Sequence, residues 1–292
     1  MARALILYNP AARNAPDPAL LAAIRSELRW AGFRADEAGS RARGDLTALA
    51  RAGAQDGVDR VVICGGDGSV REAAEGMRGS SVSLAIVPLG TANVLAREMG
   101  LPCARPMTCA ALAGRGKPRS VGLGTINGSV FTFCASAGVD ACAVASVDLL
   151  EKRQTGAWAY LHAALSALIE QRPPEFTVVL PDGRRIEACQ VFAARARRYG
   201  GPFILSSGAS LQAPTLKLLA MAPPLRHHLP GLLAGILGKG LEGARGVTVL
   251  DVESFDLESE SPSPVQADGD AAGHTPASFR SVPGALTLVF PC

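Results

Sequence analysis

Lysine is almost missing from this chain. Only Lys117, Lys152, Lys217 and Lys239 occur, so arginine carries nearly all the positive charge. The guanidinium fork suits phosphate and other anionic groups. A net charge of +3 on 292 residues is too small to argue for a nucleic-acid partner. No run of about 18 apolar residues exists, so no membrane-spanning helix is expected. Met1-Ala2-Arg3-Ala4 leads into only a handful of apolar residues, so no signal peptide is expected. The seven cysteines are odd in number, scattered, and form no C-x-x-C. They read as reduced packing residues of a cytoplasmic protein, with no disulfide frame or zinc site. Two common phosphate loops are also missing. No G-x-x-x-x-G-K-[ST] occurs, and no G-x-G-x-x-G can be read through the main glycine loop. Charge is low at 19% and apolar content high at 48%, enough core for one large domain or two modest ones.

What is present centres on Val61-Val62-Ile63-Cys64-Gly65-Gly66-Asp67-Gly68-Ser69-Val70-Arg71-Glu72. The first four residues read as a short buried strand. The glycines permit a sharp turn and a close backbone approach to a ligand. Ser69 and Glu72 have capping-box spacing, which predicts a helix start at Ser69. Val70, Ala73, Ala74 and Met77 give that helix a buried face. Strand, glycine loop and helix N-terminus together point free N–H groups at an anion, phosphate above all. Asp67 would repel phosphate unless it serves a metal ion, handles a proton or orients the loop. An ordinary turn with Asp67 solvated is the alternative.

In chain order, strands are expected at Ala4–Tyr8, 33–37, 61–64 and 82–87. Helices are expected after Asp17-Pro18, after an Asp45 cap, after the glycine loop, and over Val94–Met99. Alternating strands and helices imply a parallel, right-handedly wound sheet with ligands at the carboxyl ends of its strands. Asn9, Gly65–Gly68 and Gly90–Asn93 all lie at such ends. From Ser120 the pattern changes. Val121–Ile126, Asn127-Gly128 and Val130–Cys134 read as a hairpin with a type I′ turn. One long helix is expected over 155–170, with His162 in a hydrogen-bonded role. Short strands follow at 176–180, 186–194, 203–206, 216–221, 247–251, 254–258 and 264–267, the spacing of an antiparallel sandwich. The expected division is an α/β domain over 1–120 and a β-sandwich domain over 121–283. The strand 285–290, within 284–292, could return to either.

Gly65-Gly66-Asp67-Gly68-Ser69 with Glu72 resembles the G-G-D-G-[TS] signature of the diacylglycerol kinase catalytic domain superfamily, which includes bacterial lipid kinases, sphingosine kinases and ceramide kinases. Asn9-Pro10 resembles its N-P start, and Pro88-Leu89-Gly90-Thr91-Ala92-Asn93 its P-x-G-T-x-N-D loop. Val265-Gln266-Ala267-Asp268-Gly269-Asp270 resembles its late D-G-[ED] motif. Ser40–Gly44, Arg153–Tyr160 and Arg198-Tyr199-Gly200-Gly201 are fainter matches. The resemblance implies a Rossmann-like nucleotide domain, a C-terminal β-sandwich, ATP with Mg²⁺, and phosphorylation of a lipid hydroxyl. Diacylglycerol or a related lipid alcohol is the expected substrate. It implies nucleotide binding by Asn9, Ser40, Gly65, Gly66, Asp67, Gly68, Ser69, Thr91 and Asn93. Asp268 is the expected general base, with Asp270 orienting it or helping bind metal. Asp67 and Asp270 are the candidates for contact with ATP-bound Mg²⁺. Taken without the resemblance, Asp268-Gly269-Asp270 reads equally as a solvated turn, and Asp140 as a structural residue.

The chain departs from the family pattern at four places. Val94 stands where the family has the Asp of G-T-x-N-D, and Arg13 stands near an expected glycine. Arg195 takes the place of an asparagine before R-Y-G-G. Gln212-Ala213-Pro214 replaces a D-D-G loop that is an accessory metal site in some bacterial members, so no accessory ion is expected. The apolar stretch 223–241, with Arg226, His227, His228 and Lys239 around it, either docks on an anionic membrane or packs on the sandwich. A cytoplasmic, peripherally membrane-associated lipid kinase is the resulting expectation, with oligomeric state open and a homodimer one option. The alternatives are an NAD kinase-type enzyme, a sphingoid or ceramide kinase, and a catalytically idle nucleotide- or lipid-binding protein.

Overall fold

The computed structural model describes residues 1–146, 174–201, 203–223, 238 and 240–292. The expected 155–170 helix with His162, the Arg153–Tyr160 match, and most of 223–241 with His227 and His228 lie outside these residues. The chain divides into two compact units, Met1–Val121 with Gly284–Cys292, and Gly122–Pro283.

Unit 1 alternates strands and helices. In order they are β1 (Ala2–Tyr8), α1 (Pro18–Trp30), β2 (Phe33–Gly39), α2 (Asp45–Gln55), β3 (Arg60–Gly65), α3 (Asp67–Met77), β4 (Ser83–Pro88), α4 (Val94–Glu98) and α5 (Pro106–Arg115). β5 (Lys117–Ile126) then leads into unit 2. The sheet is parallel, in the order β2-β1-β3-β4, and residues 287–288 add a parallel strand beside β4. β3 and β4 are buried along their whole length, as apolar strands covered on both faces must be. One face packs Leu21, Ile24 and Leu28 of α1 and Ala110 and Ala113 of α5 against Ile6, Val62, Cys64, Ala85 and Val87. α2 and α3 pair so closely that a Cβ on Gly76 would lie 2.2 Å from the Thr47 carbonyl oxygen. Asp17 caps α1 by accepting from Leu20 N, as the Asp17-Pro18 pair predicts.

Two expected helix starts are corrected. α3 begins at Asp67 with Gly66 at the cap position, two residues before Ser69. Ser69 turns back over Gly65, and the Glu72 carboxylate accepts from Gly44 N at 3.1 Å, so neither member of the expected box caps α3. Asp45 is the first helical residue of α2, and its carboxylate accepts from Arg41 N and Ala42 N in the loop before it.

Unit 2 is antiparallel. It holds β6 (Ser129–Phe131), β7 (Cys134–Ala137), α6 (Val139–Ser146), β8 (Phe176–Val179), β9 (Arg185–Ala188), β10 (Gln190–Ala194), β11 (Arg198–Tyr199), β12 (Phe203–Ile204), β13 (Leu216–Met221), β14 (Val247–Val252), β15 (Ser254–Glu258), β16 (Pro264–Ala267), β17 (Asp270–His274) and β18 (Ala277–Phe290), whose second half belongs to unit 1. One sheet runs β14-β13-β10-β7-β16-β17; in the other, β18-β15-β8-β9 are neighbours and β5 pairs with both β18 and β6. Phe131, Phe176, Val178, Val191, Leu216, Leu218, Phe255, Val265 and Phe279 fill one core from both sheets. Phe255 and Phe279 stack at 4.5 Å between centroids. The expected type I′ turn is present, with φ of 48° at Asn127 and 87° at Gly128. The expected strand Val130–Cys134 is instead two, because the chain leaves β6 at Thr132 and enters β7 of the other sheet at Cys134.

Candidate active site

In unit 1 the carboxyl ends of adjacent strands are aligned by register, Tyr8 opposite Cys64 and Gly65 opposite Pro88. The strand order reverses between β1 and β3, the crevice where open α/β sheets bind ligands. The segments that leave this edge carry Asn9, Gly65–Ser69 and Gly90–Asn93. Val70 N makes the first intrahelical bond of α3, to Gly66 O at 3.0 Å. The N–H groups of Asp67, Gly68 and Ser69 therefore precede the helical ladder and face outward at the positive end of its dipole.

Two glycine loops are packed backbone to backbone. A Cβ on Gly90 would lie 2.5 Å from the Gly66 Cα, and Leu89 N donates to Gly65 O at 3.0 Å. Over Gly68 there is open space: a Cβ there meets nothing within 4 Å. Asp67 is half-buried, and its Oδ1 accepts from Leu95 N at 3.3 Å, which ties the glycine loop to α4. Asn93 sits in the left-handed region, φ 47°, with its amide turned inward. Its Oδ1 accepts from Gly90 N at 2.9 Å and its Nδ2 donates to Gly90 O at 2.7 Å, so this side chain shapes the loop. Thr91 is exposed. Asn9 Oδ1 accepts from Ala11 N at 2.9 Å, and buried Ser40 donates its N–H to Tyr8 O at 2.9 Å.

In unit 2 Asp268 and Gly269 form the two-residue turn between β16 and β17, with φ of 53° and 83°. Asp268 is buried at 8% exposure, so the solvated-turn alternative does not hold. Its carboxylate fills the gap where the chain crosses from β6 to β7. Oδ2 accepts from Thr132 N at 2.6 Å and Thr132 Oγ1 at 2.8 Å; Oδ1 accepts from Phe133 N at 3.0 Å and Cys134 N at 3.1 Å. Burial pushes the Asp268 carboxyl above the ordinary aspartate range, against the opposing pull of these hydrogen bonds. Asp270, the first residue of β17, is half-buried.

A buried polar chain reaches the same turn from below. Gly269 N donates to Gln266 Oε1 at 2.8 Å, Gln266 Nε2 donates to Ser136 Oγ at 2.6 Å, and Ser136 Oγ donates to Asp140 Oδ2 at 2.5 Å. Asp140 also accepts from Gln190 Nε2 and Tyr199 OH, each at 2.7 Å. Asp140 is thus the terminal acceptor that fixes each donor's direction, including the amide of Gln266. Thr132, Ser136 and Gln190 are members of this site that sequence reasoning missed. No residue-type signal marks them, since each acts through partners distant in the chain.

Two families match the chain. The diacylglycerol kinase catalytic domain covers residues 3–126, and the YegS C-terminal NAD kinase beta sandwich-like domain covers residues 134–290. The chain belongs to the diacylglycerol kinase family. The diacylglycerol kinase of Mycobacterium tuberculosis (strain ATCC 25618 / H37Rv) is 30% identical over 254 residues, covering 85% of this chain and 82% of that protein. The probable lipid kinase YegS-like of Pseudomonas aeruginosa (strain UCBPP-PA14) is 29% identical over 294 aligned positions, covering 98% and 93%. A crystal structure of a diacylglycerol kinase from Bacillus anthracis str. Sterne shares the fold, with a TM-score of 0.76 at 21% identity over 99% of this chain and 96% of that one. No helix among the described residues is long and apolar enough to cross a membrane.

Proposed function

We propose that this chain transfers the terminal phosphoryl group of ATP to the hydroxyl of a lipid alcohol, with diacylglycerol the leading substrate. The observation that carries the reading is the outward-facing first turn of α3 beside the packed Gly66 and Gly90 loops, with open space above Gly68. Backbone N–H groups there suit the phosphates of ATP. Gly65, Gly66, Gly68 and Ser69 form the cradle, and Thr91, Asn9 and Ser40 extend it towards the rest of the nucleotide. Asn93 contributes by holding the Gly90 loop.

Phosphoryl transfer needs positioning and charge neutralisation more than covalent help from the protein. Mg²⁺ arriving on ATP supplies that neutralisation. Among the described residues no group of three or more His, Cys, Asp or Glu could hold a metal alone. An ion carried by nucleotide would need only one or two protein carboxylates, for which Asp67 and Asp270 are the candidates. Asp268 takes the proton of the attacking hydroxyl as the new O–P bond forms and ADP departs. Three of its four donors are fixed backbone N–H groups, and only the Thr132 hydroxyl can rotate away. The lipid hydroxyl then takes the place of that one donor on Oδ2. A carboxyl raised by burial is a better base than an ordinary aspartate. The apolar sequence 223–241 with its basic neighbours supports docking on anionic bilayers.

The deciding experiment incubates the protein with labelled ATP and Mg²⁺ over a total lipid extract, with a parallel NAD⁺ arm. A labelled phospholipid is expected. NADP⁺ formation with no labelled lipid would reassign the enzyme, and ATP binding with no product would make it an idle binding protein.

A further inference from the structure

Among the described residues Arg195 is the largest fully buried side chain, with no exposed surface. A buried cation ordinarily finds a carboxylate, because desolvating an unpaired charge is expensive. Among the described residues none pairs with it. Its guanidinium is instead ringed by main-chain carbonyls of one loop. Nη2 donates to Leu211 O at 2.8 Å and Ala213 O at 3.0 Å, and Nη1 donates to Thr215 O at 2.8 Å and to Ser281 Oγ at 3.3 Å. Ser281 Oγ in turn donates to Pro214 O at 2.7 Å. The space is made by Gly122, where a Cβ would lie 2.1 Å from Nη2. Gly122 N also donates to Leu211 O at 2.8 Å, which closes the ring. Burial lowers the guanidinium pKa to about 10, which still leaves it charged at neutral pH.

Several carbonyl oxygens and a hydroxyl turned to one point form the donor set that hard divalent cations use. The accessory ion of some family members does not fit here, as the departure from their D-D-G loop leads one to expect. Gln212-Ala213-Pro214 offers it no carboxylate, and the carbonyls of Leu211, Ala213 and Thr215 already accept from a cation of the chain's own. We propose that Arg195 is the resident cation of the 211–215 loop, a covalently attached replacement for a structural metal. The loop therefore holds its shape without any divalent ion. The anchoring extends to the neighbouring crossover, because Arg195 N and Ala196 N both donate to Phe133 O, one residue from Thr132. This inference stands independently of which hydroxyl the enzyme phosphorylates.

The test uses nucleotide-free, full-length protein. Metal analysis after purification without chelator is expected to find no stoichiometric Mg²⁺ or Ca²⁺. The unfolding temperature should be the same in EDTA, MgCl₂ and CaCl₂. Arg195→Asn vacates the ring and adds a side-chain carbonyl. In EDTA it should unfold about 5–10 °C lower, because the part-buried carbonyls of Ala213 and Thr215 lose their donor. Mg²⁺ or Ca²⁺ should recover part of that loss in the variant alone. Arg195→Lys keeps one positive charge with fewer donors and should fall between the two, so the reading survives if Arg195→Asn fails to fold. Stoichiometric metal in the wild type, wild-type stabilisation by either ion, or a variant as stable in EDTA as the wild type would each overturn the proposal.

Discussion

Replacing Asp268 with asparagine is the most informative perturbation of unit 2. The carboxylate receives four donors from residues 132–134, three of them main-chain N–H groups. Asparagine keeps one acceptor oxygen. It should turn that oxygen towards Phe133 N and Cys134 N, because two donors converge there. Its NH₂ then faces Thr132, whose hydroxyl can rotate to accept. The Thr132 N–H, in a residue only 2% exposed, is left without an acceptor. An orphaned buried donor costs about 1–3 kcal/mol. The surviving bonds also weaken as their acceptor loses its charge. Escape from burying an anion offsets part of this, for a net loss of about 2–3 kcal/mol. Thermal unfolding of nucleotide-free protein at pH 8, followed by circular dichroism, should show a drop of about 4–10 °C. The pH dependence has a definite sign. A raised folded-state pKa means that the folded protein binds this proton more readily than the unfolded chain. The wild type is therefore penalised above the folded pKa and relieved as pH falls through it to the ordinary aspartate value. Its margin over the asparagine variant should widen on acidification across that window. An equally stable variant at pH 8 would show that the four bonds do not organise the crossover. A margin that narrows on acidification would refute the raised pKa.

Three further outcomes are expected. Thr132→Val removes one donor to the charged carboxylate, so the acid limb of the kcat/KM profile should move to higher pH with kcat changed by less than about tenfold; an unmoved limb would separate Asp268 from the titration that governs rate. Gly68→Ala puts a methyl group into open space on a helix with no packing penalty, so its unfolding temperature should hold while KM for ATP rises about tenfold or more; unchanged KM would remove the nucleotide from that spot. Asp140→Asn reverses the polarity at the end of the Ser136–Gln266–Gly269 chain. It should lower kcat by about 10-fold or more at constant KM for ATP with the thermal unfolding transition retained, and an unchanged kcat would remove this chain from the chemistry.

The parallel sheet was legible because 61–64 and 82–87 are short apolar runs that end in turn residues, a pattern that survives any tertiary context. β17 was not legible although Asp268-Gly269 is a two-residue hairpin signal, because Asp270–His274 holds no β-branched aliphatic or large aromatic residue to mark a strand. α5 starts at Pro106 and is rich in alanine, with little contrast between its faces to announce it. The burial of Asp268 could not be read at all, since its partners lie 134–136 residues earlier. Arg195 stood out only as a departure from a pattern. Carbonyl oxygens belong to every residue type, so a cage made of them leaves no trace in sequence.

β18 bears on the order in which the protein can be completed during synthesis. Residues 1–121 of unit 1 are made before unit 2, yet the sheet of unit 1 is finished by residues 284–290. Until those are made, β4 has an open hydrogen-bonding edge on a strand that is buried throughout in the finished fold. The usual N-terminal-first sequence of domain folding is therefore interrupted here. Unit 1 waits for the whole of unit 2 to be translated, and a prematurely terminated chain would expose a sticky apolar edge to proteolysis and aggregation.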